Sequence, residues 1–256
     1  MPEIPDLLEL LKTGAHFGHQ VSKWHPKMKP YLFGSRNGIH IINLEQTVVK
    51  MKDTFESVRD IVAKGGTIVF LGTKRQAAPI VEKYAKQCGM PYITRRWLGG
   101  TFTNFSELSK VIRKLNDLRA KRDAGDLNKY TKKERVVIDR DIEEMEMKVG
   151  GISTLTRLPE ALYVVDVKHE KTAVEESNQK RVPVIAMLDS NVNPELVAYG
   201  IPANDDAVKS IEMVTRLIAE AVSEGMKLRE KAAAAKKAEA VVPVSSAPED
   251  KRVITA

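Results

Sequence analysis

The sequence predicts an α/β protein: a parallel sheet flanked by helices, with a pair of helices inserted near its middle. Short apolar runs such as TIVFLG, PYIT, ALYVVD and VPVIAML, with a very short last one near 199–201, lack polar alternation. Strands buried on both faces read this way. Segments with helical spacing, KRQAAPIVEKYAKQCG and the one around TAVEESNQK, fall between the runs, an alternation that favours crossover connections and a parallel sheet. Two further amphipathic segments follow one another with no strand between them.

Asp6 ahead of LLELLKTG can cap a short helix, because its carboxylate accepts the free N-terminal amides, and Gly14 suits the terminating turn. The stretch His16 to Tyr31 reads as a loop. Residues 31–42, YLFGSRNGIHII, predict a hairpin about Asn37-Gly38, the dipeptide that best accepts the positive φ angles of a tight turn. Asn43 then caps a helix with Val48, Met51, Phe55, Val58 and Val62 on one side, ending at Gly65-Gly66.

Within 104–123, Phe105, Leu108, Ile112, Leu115 and Leu118 form one stripe. After a polar turn, Thr131 and Glu134 have the spacing of a capping box, and Ile138, Ile142, Met145 and Val149 form a second stripe. The expectation is an antiparallel helical hairpin inserted at about 104–150 and projecting from the sheet. Asn204 caps a long last helix through Ile211, Val214, Ile218 and Val222. The α/β domain is expected over 1–228. Residues 229–256, rich in Ala, Lys, Pro and Ser, are expected to be a frayed helix end and then a disordered tail.

Charge is distributed unevenly along the 256 residues, whose net charge is +7. Residues 10–44 contain no Asp or Glu but carry Lys12, Lys23, Lys27, Lys29 and Arg36. In 61–106 the only acid is Glu82, against Lys64, Lys74, Arg75, Lys83, Lys86, Arg95 and Arg96. Acids outnumber bases between Glu160 and Glu224. Such asymmetry predicts one basic face for a polyanion, nucleic acid first among them. The opening MPEIPDLLEL lacks a basic segment followed by an apolar run, and no stretch approaches the roughly 18 apolar residues of a membrane span. A cytoplasmic protein without a membrane partner is expected. The single Cys88 can form no internal disulfide.

Catalytic motifs are missing: there is no GxSxG, HExxH, GxGxxG or GxxxxGK[ST]. No enzyme and no small-molecule substrate are expected. His16, His19 and His25 match no closed zinc spacing, and no cofactor is expected. One variant is a divalent ion, since Asp189 and Asp205 would both lie at the carboxyl edge of the sheet, where a histidine could join them. Thr73, Lys74 and Arg75 follow a strand and open a helix, a place that presents amides to an anion. In RRWLGGTFTN, Arg95 and Arg96 offer guanidinium forks and the glycines allow close backbone approach, while Thr103 and Asn104 add polar contacts. The aromatic face of Trp97 suits base contact, and Trp97 and Leu98 equally suit the core. The RNA-binding set expected is Lys23, Trp24, His25, Lys27, Lys29, Arg36, Thr73, Lys74, Arg75, Arg95, Arg96, Thr103 and Asn104. The alternative reading is a nucleotide-binding enzyme or switch using the carboxyl edge near Thr73, Asp166 and Asp189.

These residues also carry a resemblance. LKTGAHFGH (11–19), WHPKMKP (24–30), GIHIIN (38–43), GTKR (72–75), RWLGG (96–100), LPEAL (158–162), VPVI (182–185), DSN (189–191) and IPANDD (201–206) resemble, in collinear order, the bacterial small-subunit ribosomal protein number two family. The resemblance spans about residues 5–220. It implies a flavodoxin-like parallel sheet of strand order 2-1-3-4-5 with a protruding helical hairpin. It further implies a structural role in translation: a place on the small subunit between head and body, contact with 16S ribosomal RNA, and help in docking the mRNA-binding ribosomal protein number one.

Overall fold

The computed structural model describes residues 2–239, and the tail expected beyond 239 lies outside the described residues. Helix α1 (Leu7–Thr13) is capped by the Asp6 carboxylate, which accepts the Glu9 amide at 2.7 Å, and stops where Gly14 takes φ 75°. Three antiparallel strands follow, β1 (Phe17–Gln20), β2 (Leu32–Arg36) and β3 (Ile39–Ile42), in the order β1-β3-β2. The turn between β2 and β3 is made by Asn37 at φ 51° and Gly38 at φ 76°, as the dipeptide predicts. Strand β1 corrects the loop expected from His16 onward. Its sequence FGHQ has weak strand propensity, and it forms because β3 pairs with it, Phe17 opposite Ile41 and Gln20 opposite Ile39. Two 3-10 turns, Val21–Lys23 and Pro26–Tyr31, fill the rest of that stretch.

Helix α2 (Leu44–Ala63) begins at Asn43, whose side chain accepts the Glu45 amide. Strand β4 (Ile68–Leu71), helix α3 (Ala78–Gln87), strand β5 (Tyr92–Ile93), helices α4 (Phe105–Asp123) and α5 (Lys132–Val149), strand β6 (Ala161–Val164), helix α6 (Lys171–Gln179), strands β7 (Val184–Leu188) and β8 (Tyr199–Pro202), and helix α7 (Val208–Glu239) complete the chain. The last helix therefore runs on past Leu228. The five strands β4 to β8 form one parallel sheet in the order β5-β4-β6-β7-β8, the 2-1-3-4-5 order that the resemblance implied.

Alternate residues of each strand enter different cores, because side chains point to opposite faces with period two. Ile68, Phe70, Tyr163, Ile185 and Met187 join Phe55, Val58, Val81, Ile211, Val214 and Ile218 of α2, α3 and α7 on one face. Val69, Leu71, Leu162, Val164, Val184 and Ala186 join residues of α4, α5 and α6 on the other. Sheets buried on both faces need the unbroken apolar runs that the sequence shows.

Helices α4 and α5 occupy the two amphipathic segments, joined by a 3-10 turn at Asp126–Lys129. The capping box is present in full: Thr131 accepts the Glu134 amide while the Glu134 carboxylate accepts the Thr131 amide at 2.9 Å. Leu108, Ile112, Leu115, Ile142 and Val149 are buried in the same cluster as the sheet, so this pair of helices is rooted in the main core. Past α5, Gly151 passes so close to β5 that a Cβ there would collide with the Tyr92 carbonyl oxygen. Backbone cannot yield as a side-chain tip can. Gly151→Ala is expected to cost about 1–3 kcal/mol, the range of overpacked sites, read from urea unfolding midpoints.

Candidate nucleic-acid interface

Parallel strands place every loop that follows a strand at the same edge of the sheet. The loops after β4, β5, β6, β7 and β8 carry Thr73 to Arg75, Arg95 to Asn104, Asp166, Asp189 and Asp205, respectively, so chemistry scattered over more than a hundred residues gathers there. The three-stranded sheet is fastened to this edge as well. The Ser190 hydroxyl accepts the His19 amide at 2.8 Å, the Ser190 carbonyl accepts the His25 amide at 2.8 Å, and the Asn204 amide donates to the Ala15 carbonyl at 3.0 Å.

The structure brings Asp189, Asp205 and a histidine together, and adds Lys74 to them. The Lys74 ammonium, 16% exposed, lies 2.5 Å from Asp166, 3.2 Å from Asp205 and 2.7 Å from Asp206. Burial works against its charge, but Asp205, Asp166 and Asp206 outweigh burial and raise its pKa. His19 sits between Asp189 (Nδ1, 3.0 Å) and Asp206 (Nε2, 3.4 Å). The hydrogen bond to Asp189 raises its pKa against the opposing effect of burial. Asp205 is wholly buried, and desolvation together with the neighbouring Asp166 and Asp189 pushes its pKa up. Its Oδ2 has no hydrogen-bond partner. His19, Asp205 and Asp206 each offer a ligand atom within 4.8 Å of the others, so a divalent ion could be held there. His25 is not in this group; its Nδ1 accepts the Lys27 amide.

Glu170 organises the turn after β4. Its carboxylate accepts the Thr73 amide at 3.0 Å and also binds the Thr73 hydroxyl. The loop after β5 folds around a second buried carboxylate, Glu176 of α6. Glu176 accepts from the Trp97 indole (3.0 Å), from the amides of Gly100 (2.8 Å), Phe102 (3.0 Å) and Thr103 (3.0 Å), and from the Thr103 hydroxyl (3.0 Å). Trp97 is buried edge-on to Phe102, with ring centroids 4.9 Å apart. The core role expected for Trp97 is what the structure shows.

With that loop fixed from within, Arg95 and Arg96 are left at the surface. Neither makes an ion pair among the described residues, and Arg75, Lys23, Lys29 and Arg36 are likewise exposed without one. Lys27 pairs with Glu195. Trp24 is half-buried with its ring 5.1 Å from that of His40, and Asn104 is exposed at the start of α4. Of the residues expected to touch RNA, then, Lys27, Lys74, Thr73, Thr103 and His25 have partners inside the protein, and the cations without an ion pair among the described residues are Lys23, Lys29, Arg36, Arg75, Arg95 and Arg96. Sequence reasoning missed Glu170 and Glu176, which lie in the acid-rich second half. The one local trace of Glu176 is an acid on the same side of its helix as Ala173, Val174 and Ser177, which marks it as facing inward without naming its partners.

The family profile described as Ribosomal protein S2 matches residues 10–225. This chain belongs to the ribosomal protein S2 family. Relatives named small ribosomal subunit protein uS2 are similar over most of its length. The one from a Nitratiruptor species is 44% identical over 237 residues, covering 93% of this chain and 89% of its own. That of Campylobacter fetus is 43% identical over 248 residues, covering 97% and 95%, and that of a Roseiflexus species is 46% identical over 221 residues, covering 86% and 84%. The S2 profile thus covers both the three-stranded sheet and the parallel sheet to which it is fastened. Among the described residues, no helix of this S2-family chain is long and apolar enough to cross a membrane.

Proposed function

We propose that this protein is a structural constituent of the small ribosomal subunit, that it binds 16S ribosomal RNA between head and body, and that it helps dock ribosomal protein number one. It works in the cytoplasm as a binding module without a catalytic step. The observation that carries this reading is the set of exposed cations Arg75, Arg95 and Arg96, without ion pairs among the described residues, in loops at the carboxyl edge of a chain of the S2 family. Lysine and arginine contacts to phosphate hold such a protein by Coulomb attraction and counterion release, while the shape of the folded RNA selects the site. Replacing Arg75, Arg95 and Arg96 together by alanine is expected to lower occupancy in sedimented small subunits. For RNA binding in solution, the slope of log affinity against log salt should fall by about 1 for each lost phosphate contact. Unchanged occupancy and slope would count against the reading.

The rival, a nucleotide-binding enzyme or switch, is disfavoured by the turn after β4. There the Thr73 amide, which a phosphate would need, is already taken by the Glu170 carboxylate. Calorimetric titration with nucleoside triphosphates tests it. A divalent ion among His19, Asp205 and Asp206 is favoured by the unpartnered Asp205 Oδ2 and opposed by Lys74, which already supplies positive charge there. Stoichiometric zinc or magnesium in the purified protein would overturn the reading without a cofactor.

A further inference from the structure

A cleft of about 550 Å³ opens beside β5, between the loop that follows it and helix α5. Its walls include Tyr92, Arg95, Arg96, Arg119, Glu143 and Met147. That size is in the range of about 300–1,000 Å³ typical of ligand pockets.

Most of the charge in the cleft cancels internally. Arg119 pairs with Glu146 at 2.9 Å, Lys148 with Glu144 at 3.3 Å, and Glu82 with Lys86 at 2.7 Å. Three charged groups remain without an ion pair among the described residues: Arg95, Arg96 and Glu143. Met147, about half exposed, adds an apolar and polarisable surface. Two free guanidiniums are a phosphate-binding pair. A free carboxylate in the same wall would repel a bare phosphate chain, so phosphate alone does not account for it. A carboxylate accepts hydrogen bonds only; on RNA the donors are the ribose 2′-hydroxyls and the N–H groups of base edges, and within a chain a ribose offers one hydroxyl whereas a base edge can offer two N–H groups to both carboxylate oxygens at once.

We infer that this cleft receives one unstacked nucleotide, its phosphate on Arg95 and Arg96, its base against Met147 and its N–H edge on Glu143. Guanine fits best, since its N1–H and N2–H point the same way and match the two oxygens of one carboxylate. The inference rests on the RNA-binding reading and deepens it, from phosphate contacts to the capture of a single base in an unpaired stretch. RNA proteins commonly take up splayed-out bases in this manner. A free mononucleotide has the same chemistry.

The test uses small subunits carrying full-length wild-type, Glu143→Ala or Met147→Ala protein, with the RNA treated by base-specific reagents. Both substituted residues are exposed, so the fold should tolerate the changes. One base protected in wild-type subunits, a guanine by preference, is expected to gain at least about fivefold in reactivity in both variants, the lower end of what one lost base contact costs, with occupancy retained. In a parallel arm, isolated protein is titrated with adenosine, cytidine, guanosine and uridine 5′-monophosphates. Saturable heat that Glu143→Ala abolishes, with no base altered in the subunit, assigns the cleft to a free nucleotide. No altered base and no such heat overturn the inference. Occupancy lost on replacing the three arginines but kept in Glu143→Ala would in that case leave the RNA-binding reading standing.

Discussion

Glu176→Ala is expected to lower stability by about 3–5 kcal/mol, read as a lower urea midpoint. The substitution removes the one acceptor shared by the Trp97 indole, three backbone amides and the Thr103 hydroxyl. Phe102 and Trp97 are buried, so their donors cannot turn to water without opening the loop. An unsatisfied buried donor costs about 1–3 kcal/mol, and five such losses in one loop are not additive because the loop relaxes as a unit. Glu176→Gln keeps one acceptor oxygen and should cost less. Burial alone would push the Glu176 carboxyl above its usual value of 4.5, but the donors from Thr103, Trp97, Gly100 and Phe102 hold it below. The sign follows from linkage: a depressed folded pKa gives stability that is complete above the unfolded value near 4.5 and is lost as pH falls through the folded one. Wild-type protein should therefore lose stability below about pH 4.5 more steeply than Glu176→Gln. Equal acid limbs would show that Glu176 is not the hub of this loop.

The loop around Glu176 also shows where sequence reading stops. Apolar runs, caps and the Asn37-Gly38 turn are local signals, set by period and by backbone preference, and the strands β4 to β8 and helices α1, α2 and α5 stand where those signals put them. Strand β1 was missed because FGHQ has no such signal, its pairing being supplied by β3. The polar contacts were harder still. Glu176 meets residues 73 to 79 positions away, and Lys74 meets Asp206 at a separation of 132, so neither set is visible as spacing. Lys74 shows the consequence. In sequence it is a basic residue in a basic window and reads as an RNA contact, yet folding turns its charge inward. Arg95 and Arg96, in an equally basic window, stay at the surface, while the buried Glu176 of the same loop region takes its donors from Trp97, Gly100, Phe102 and Thr103. That His19 rather than His16 or His25 joins Asp189 is likewise a matter of strand register.

Lys74→Met is expected to cost about 3–5 kcal/mol, because it leaves buried carboxylates without their cation. Asp166 and Asp205 are 5% and 0% exposed, so water cannot replace the lost ammonium. The lysine pKa is raised, burial being outweighed by Asp205, Asp166 and Asp206, and the cation therefore persists through the pH range in which the protein is handled. Adding Asp205→Asn to Lys74→Met should recover part of the loss, since the repulsion that Lys74 offsets falls with one acid removed. Urea midpoints of the two single variants and the double variant measure the coupling. A loss below about 1 kcal/mol for Lys74→Met, the level of an exposed ion pair, would refute the role given to this cluster.

The hydrogen bond from the His19 amide to Ser190 joins residues 171 apart, and Asn204 reaches back 190 residues to the Gly14 carbonyl. At about 5–20 residues per second of synthesis, the first three strands leave the peptide exit on the order of 10 to 30 s before their anchorage does. Met28, fully buried in the finished protein, belongs to a core cluster that also holds Leu188 and Val192, and that cluster is incomplete during the interval. The newborn amino end must wait, adhesive and unhoused, until about three quarters of the 256 residues are made, and a chain truncated before residue 188 would keep that adhesive surface for good.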